Sequence, residues 1–65
     1  MSSPTFNVGE SICSDRHMGK IQFAVLINDD WQYFIEQLVM PNGSTIWIKE
    51  SDVREVLRDG RWIGK

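Results

Sequence analysis

Apolar and polar residues alternate along much of this chain, which is the pattern of half-buried β-strands. The clearest segment is 20–28, where one set of alternate positions holds Ile21, Phe23, Val25 and Ile27. β-branched and aromatic residues of this kind favour extended backbone. The segment therefore predicts a long strand with one strongly apolar face.

Two further segments predict strands on either side of this one. Residues 6–12 alternate through a glycine, which indicates a short first strand with a bend at Gly9. Residues 31–40 alternate as far as Glu36-Gln37 and then run apolar through Leu38–Met40. A β-bulge near Glu36-Gln37 would account for this loss of phase.

Turn residues divide the alternating segments. The polar stretch 14–19 predicts a loop, and Asn28-Asp29-Asp30 has the short Asx side chains that tolerate turn backbones. Pro41-Asn42-Gly43 is the strongest turn signal, because Asn-Gly suits turns that need positive φ. A short strand at 44–49 follows, so the long strands form a meander.

The C-terminal part has two interpretations. In one, Ser51 caps a helix with Val53, Val56 and Leu57 on one face, and the helix ends at Gly60. In the other, residues 50–53 form a single 3₁₀ turn and residues 54–57 form a last short strand. Eight residues are few for an independent helix, and the sequence leaves both alternatives open.

Composition limits the class of protein. A chain of 65 residues with 42% hydrophobic and 25% charged residues is one small globular domain, and it has no apolar stretch long enough to span a membrane. The single cysteine excludes an internal disulfide, which small domains often use for stability. We expect the seven aromatic residues to supply part of that stability, and homodimer formation is the other available source. We expect a cytoplasmic protein with a disordered leader at 1–5, a domain at 6–58 and a basic, Trp-containing tail at 59–65.

The order of these features resembles small SH3-like β-barrels of the Tudor and KOW type. The resemblance rests on Gly19-x-Ile21 at the start of a strand, Trp31-x-Tyr33-x-Ile35, the Asn42-Gly43 turn and the segment 47–53. It implies a mainly all-β fold, a five-stranded SH3-like barrel with a 3₁₀ turn or short helix near the C-terminus. The extra length at Leu38–Met40 and after residue 58 departs from the pattern, so no specific activity is implied.

The sequence offers little for catalysis. Cys13 and His17 are too few to close a zinc site, and a Cys-His dyad would need an orienting group and an oxyanion pocket. Asp29 and Asp30 are adjacent in a turn and do not converge on a substrate. The five glycines form no phosphate-binding motif. We therefore expect no catalytic residue, no metal, no cofactor and no enzymatic activity.

The aromatic residues are better candidates for binding. In Tudor-like barrels, aromatic side chains near strand ends form cages for methylated ammonium groups by cation–π attraction, and exposed aromatics also stack on bases. By this resemblance, Trp31, Tyr33 and Trp47 are the first choice for such a surface. The alternative is that Tyr33 and one tryptophan belong to the core.

Charge is distributed unevenly. Residues 1–53 hold three basic and seven acidic residues, net −4, whereas residues 54–65 hold four basic and two acidic residues, net +2. Arg58, Arg61 and Trp62 are residue types enriched at interfaces. We expect a non-catalytic interaction module that binds a protein partner or itself. The alternative is a nucleic-acid-associated regulatory module that uses aromatic stacking and the C-terminal arginines Arg54, Arg58 and Arg61, although the acidic body disfavours it.

Overall fold

Antiparallel pairing of short strands organises the structure, a computed structural model that describes residues 3–38 and 43–64. The strands lie in one sheet in the order β4-β3-β2-β1-β5-β6. One 3₁₀ turn, Glu50–Asp52, separates β4 from β5. The strands are β1 Ser11–Cys13, β2 Met18–Ile27, β3 Asp30–Gln37, β4 Thr45–Lys49, β5 Glu55–Arg58 and β6 Arg61–Gly64.

The predicted all-β class is confirmed, and its detail is corrected. The sheet has six strands and is not closed into a barrel, whereas five strands and a barrel were expected. Of the two C-terminal alternatives, the structure has the 3₁₀ turn followed by a strand. The first strand is shorter than the predicted 6–12, because Val8 and Gly9 form a turn in which Gly9 has a φ of 96°. Among the described residues, no helix is long and apolar enough to cross a membrane.

The sixth strand follows a two-residue turn. Asp59 and Gly60 have φ angles of 53° and 75°, the left-handed pair typical of a tight hairpin. This turn reverses the chain after β5, so that Arg58 pairs with Arg61 and Glu55 with Gly64. Residues 61–64, part of the segment 59–65 that was expected as a tail, therefore form a strand of the sheet.

The turn expected at Asn28-Asp29-Asp30 is present as a two-residue hairpin. Asn28 and Asp29 have φ angles of 50° and 66°, and Ile27 pairs with Asp30 across them. The Pro41-Asn42-Gly43 prediction falls mostly outside the described residues, as does the run beyond Leu38. Gly43 itself has a φ of 85°, and its amide donates to the carbonyl of Gln37 at 3.1 Å.

The β-bulge lies on a different strand from the one predicted. Pairing of β2 with β3 runs without interruption along β3, through Glu36 and Gln37, and shifts instead between Ile21 and Phe23. Gln22 is the extra residue in β2. The prediction of a bulge near Glu36-Gln37 was wrong because the break in alternation at residue 38 marks the end of the strand.

The core lies on one face of the sheet. Buried residues from β1 to β5 form one cluster together with Phe6 and Val53, so the sheet must curve around a common centre. Phe6 contacts Tyr33 edge to face, with ring centroids 5.5 Å apart. The buried apolar residues in the described part of the chain are Phe6, Ile12, Ile21, Tyr33, Ile35, Ile48, Val53 and Val56.

Candidate functional site

Three aromatic side chains lie in a row across the outer face of β2, β3 and β4. Phe23 pairs with Phe34, and Phe34 pairs with Trp47 in the strand registers. The ring centroids are 5.9 Å apart for the first pair and 4.9 Å for the second. Phe23 is 61% exposed and Trp47 50% exposed, while Phe34 is half-buried between them. We call Phe23, Phe34 and Trp47 the aromatic ladder.

The bulge at Gln22 creates this ladder. Without it, Phe23 would share the face of Ile21, which is 1% exposed in the core. With one extra residue in β2, Phe23 turns outward and Ala24 turns inward against the core. The sequence alternation therefore placed Phe23 on the wrong face, and it missed Phe23 and Phe34 as surface residues. Only Trp47 of the ladder was predicted.

Polar side chains flank the ladder along β3 and β4, and Val25 lies next to Phe23 on the same face of β2. Gln32 and Lys49 pair on one side of the Phe34–Trp47 step, and Glu36 and Thr45 pair on the other. Lys20 pairs with Glu36 across β2 and β3. The surface thus has an aromatic centre flanked by polar residues, an arrangement common in protein interfaces.

The structure separates the aromatic residues that the sequence grouped into one surface. Tyr33 is fully buried, so it offers no area to a ligand. Trp31 is half-buried and packs against the core, and its indole N–H has no hydrogen-bond partner among the described residues. Trp47 lies on the opposite face of the sheet from both, because alternate residues of β3 point to opposite faces and Trp47 pairs with Phe34.

Tyr33 has a structural role. Its hydroxyl donates to Glu50 Oε1 at 2.7 Å and accepts from the amide of Phe6 at 3.3 Å. Burial, followed by the hydrogen bond to Glu50, raises the pKa of Tyr33 to about 12. These contacts join the N-terminal segment, β3 and the 3₁₀ turn.

The candidate binding residues near the C-terminus are only partly available to a partner. Arg58 Nε donates to Glu10 Oε2 at 2.7 Å, and its Nη2 donates to the carbonyl of Thr5 at 3.3 Å. The Arg58 guanidinium lowers the pKa of the Glu10 carboxyl. Arg61 is exposed, and Trp62 is 38% exposed beside the cross-strand residue Leu57.

A shallow groove of about 390 Å³ adjoins the ladder at Trp47. One wall is the β1–β2 loop, residues 14–17, and the other is the central part of β4, residues 46–48; Asp52 and Arg54 complete it. Arg54 binds Asp15 through Nε at 3.0 Å and Nη2 at 3.3 Å. This ion pair holds the loop against the segment that precedes β5.

Cys13 and His17 have partners other than each other. The Cys13 thiol lies 3.6 Å from Glu55 Oε1, and burial together with this carboxylate raises the pKa of the thiol, which disfavours the nucleophilic thiolate. His17 Nδ1 donates to Gln37 Oε1 at 2.8 Å, and Gln37 Nε2 donates to Ser44 Oγ at 2.8 Å. In the described part of the chain, no group of three or more His, Cys, Asp or Glu residues is placed to hold a metal ion.

Comparison of the chain with protein-family models, with curated proteins and with solved structures returns no match. The functional argument therefore rests on the geometry of the surface.

Proposed function

We propose that this protein is a non-catalytic interaction module that binds a protein partner through the aromatic ladder. The observation that carries the proposal is the continuous contact of Phe23, Phe34 and Trp47 on a face that no other element covers in the described structure. Large aromatic side chains are costly to leave in water and are enriched at the energetic centres of interfaces.

The finer fold assignment belongs to the same proposal. We propose an SH3-like module with an additional C-terminal strand. Gly19 near the start of β2 and the 3₁₀ turn before β5 are features that such barrels share, and both are present here. A non-catalytic role is supported by the separate partners of Cys13 and His17.

The first test compares proteins that the purified domain retains from its host lysate. Phe23→Ser removes a side chain that is 61% exposed, and Val8→Ser removes one that is 63% exposed outside the ladder. We expect wild type and Val8→Ser to retain the same partner, and Phe23→Ser to bind it at least about tenfold more weakly, as for an interface centre. Circular dichroism would verify that both variants are folded.

The matched control decides the outcome. If all three proteins retain the same set with equal affinity, or if none retains a specific protein, the ladder does not have the proposed role. A loss with both serine variants would point to general hydrophobic adhesion and would also contradict the proposal.

The nucleic-acid alternative has weaker support. Two of the arginines that it invokes, Arg54 and Arg58, form ion pairs with Asp15 and Glu10, and the surrounding body is acidic. We therefore expect no salt-sensitive binding to single- or double-stranded nucleic acid near physiological ionic strength. A fluorescence titration at several salt concentrations measures this, and affinity that falls steeply with salt would favour the alternative.

A further inference from the structure

Two strands of the sheet have only one neighbour each. Within residues 3–38 and 43–64, β4 pairs only with β3 and β6 pairs only with β5, so the two free edges lie at opposite ends of the six-stranded order. Neither edge strand contains proline, and the structure shows no bulge in either. Proline and bulges are common means by which proteins prevent edge pairing. Both edges are therefore competent to pair with another strand.

The groove follows the free edge of β4. Three consecutive residues of the strand line it, Ile46, Trp47 and Ile48. Because side chains alternate between the faces of a strand, contact with three residues in succession means that the groove runs along the backbone edge. An extended segment in this groove could reach the hydrogen-bonding groups of that edge.

β6 is exposed to solvent although it carries large apolar side chains. All four of its residues are exposed, and yet Trp62 and Ile63 are large and apolar, 38% and 45% exposed. Every pair of neighbouring strands in the sheet is antiparallel, so β4 and β6 run in opposite directions. A second copy in the same orientation would therefore continue the antiparallel pattern when its β4 meets this β6.

Two apolar pairs of side chains match in one register, in which Arg61 lies opposite Ile48. When Trp62 lies opposite Trp47, Ile63 lies opposite Ile46 and Gly64 lies opposite Thr45. Each pair then lies on one face of the continued sheet, where aromatic and β-branched cross-strand pairs are stabilising.

From this complementarity we infer that β6 of one copy pairs with the β4 edge of a second copy, giving head-to-tail self-association. This inference goes beyond the proposed function, because it uses the strand edges and involves only Trp47 of the aromatic ladder. A head-to-tail contact leaves one free edge at each end, so it extends to species larger than a dimer until a ring closes.

Disulfide trapping tests which edges meet. In a Cys13→Ser background, one chain carries Thr45→Cys and a differently tagged chain carries Gly64→Cys; an added Cβ at Gly64 meets nothing within 4 Å. Directly opposed strand residues have a Cα separation of about 4.5–5.5 Å, which a disulfide spans. We expect a cross-link in the mixture and none with either chain alone. Self-linkage of Gly64→Cys or of Thr45→Cys, or no linkage at all, would overturn the inference.

Sedimentation measures the same contact without a covalent link. We expect the mass to rise with concentration beyond a dimer, and Trp62→Ser to weaken association about tenfold or more. Phe23→Ser, which changes only the ladder, should leave association unchanged. A strict monomer at high concentration would contradict the inference. Association that is lost with Phe23→Ser and kept with Trp62→Ser would also contradict it. Neither result would test whether the ladder binds a partner protein.

Discussion

Replacing Gly19 with alanine is expected to unfold a large fraction of the protein. An ideal Cβ at this position would overlap the backbone carbonyl oxygen of Glu36 and would lie 2.9 Å from Cδ1 of Ile35. The carbonyl is held in the sheet, since Lys20 pairs with Glu36 and Gly19 with Gln37. Relief of the overlap requires one strand to move, which disrupts the register at the centre of the sheet.

The expected loss in the free energy of unfolding is about 3 kcal/mol, at the upper end for an overpacked site. A domain of this size has only a few kcal/mol in total. Urea denaturation followed by tryptophan fluorescence measures the change. Gly64→Ala is the control, because it adds the same methyl group in a strand where nothing lies within 4 Å. A Gly19→Ala variant as stable as Gly64→Ala would show that β2 and β3 are not packed as closely as the structure has them.

Local chemistry allowed much of the fold to be predicted. The alternation of residues 20–28 and 31–37 identified β2 and β3, and Asn28-Asp29 identified the hairpin between them. In β3 the alternation grouped Tyr33 with Ile35 on one face, and both are fully buried, although Tyr33 was the first choice for a binding surface. The strands β2 and β3 and the hairpin between them depend on the identities of neighbouring residues, so they can be predicted without knowing which distant strands they contact.

The remaining features depend on contacts between distant residues. Asp59-Gly60 has the composition of a hairpin turn, but the same glycine also ends a plausible helix; pairing of β6 with β5 selects the hairpin. The bulge at Gln22 leaves no break in the apolar alternation of β2, since Ala24 and Leu26 can also face inward. It is visible only in the pairing with β3. The ladder depends on that bulge, so the sequence did not identify it.

Replacing Tyr33 with phenylalanine is expected to destabilise the protein without creating a cavity, because only the hydroxyl is lost. The ring keeps its contact with Phe6, but the buried amide of Phe6 loses its acceptor. A buried donor without a partner costs about 1–3 kcal/mol. Hydrogen exchange should show faster exchange at the Phe6 amide, since Tyr33 also joins this segment to Glu50.

The same side chain gives a dependence of stability on alkaline pH. Tyr33 has a pKa of about 12 in the folded protein against an ordinary value of 10.0, so the folded state retains the phenolic proton where the unfolded chain releases it. This contribution is complete below pH 10 and is lost as the pH rises towards 12. Because Tyr33 is the only tyrosine, near-ultraviolet absorbance of the tyrosinate reports its titration directly.

Three proteins distinguish the effect of the Tyr33 hydrogen bonds on stability from the effect of the Glu50 charge on the Tyr33 pKa. Wild type should show a tyrosinate midpoint near pH 12 and a loss of stability above pH 10, whereas Tyr33→Phe should lack that part of the loss. Glu50→Gln keeps an amide oxygen that accepts from Tyr33 but removes the negative charge. It should therefore stay closer to wild type in stability at neutral pH than Tyr33→Phe, while its tyrosine titrates at a lower pH, because the carboxylate no longer opposes the phenolate. A wild-type midpoint near pH 10 in protein that is still folded would mean that the Tyr33 hydroxyl is exposed to solvent. The hydrogen bonds that connect β3 to the N-terminal segment and the 3₁₀ turn would then be absent.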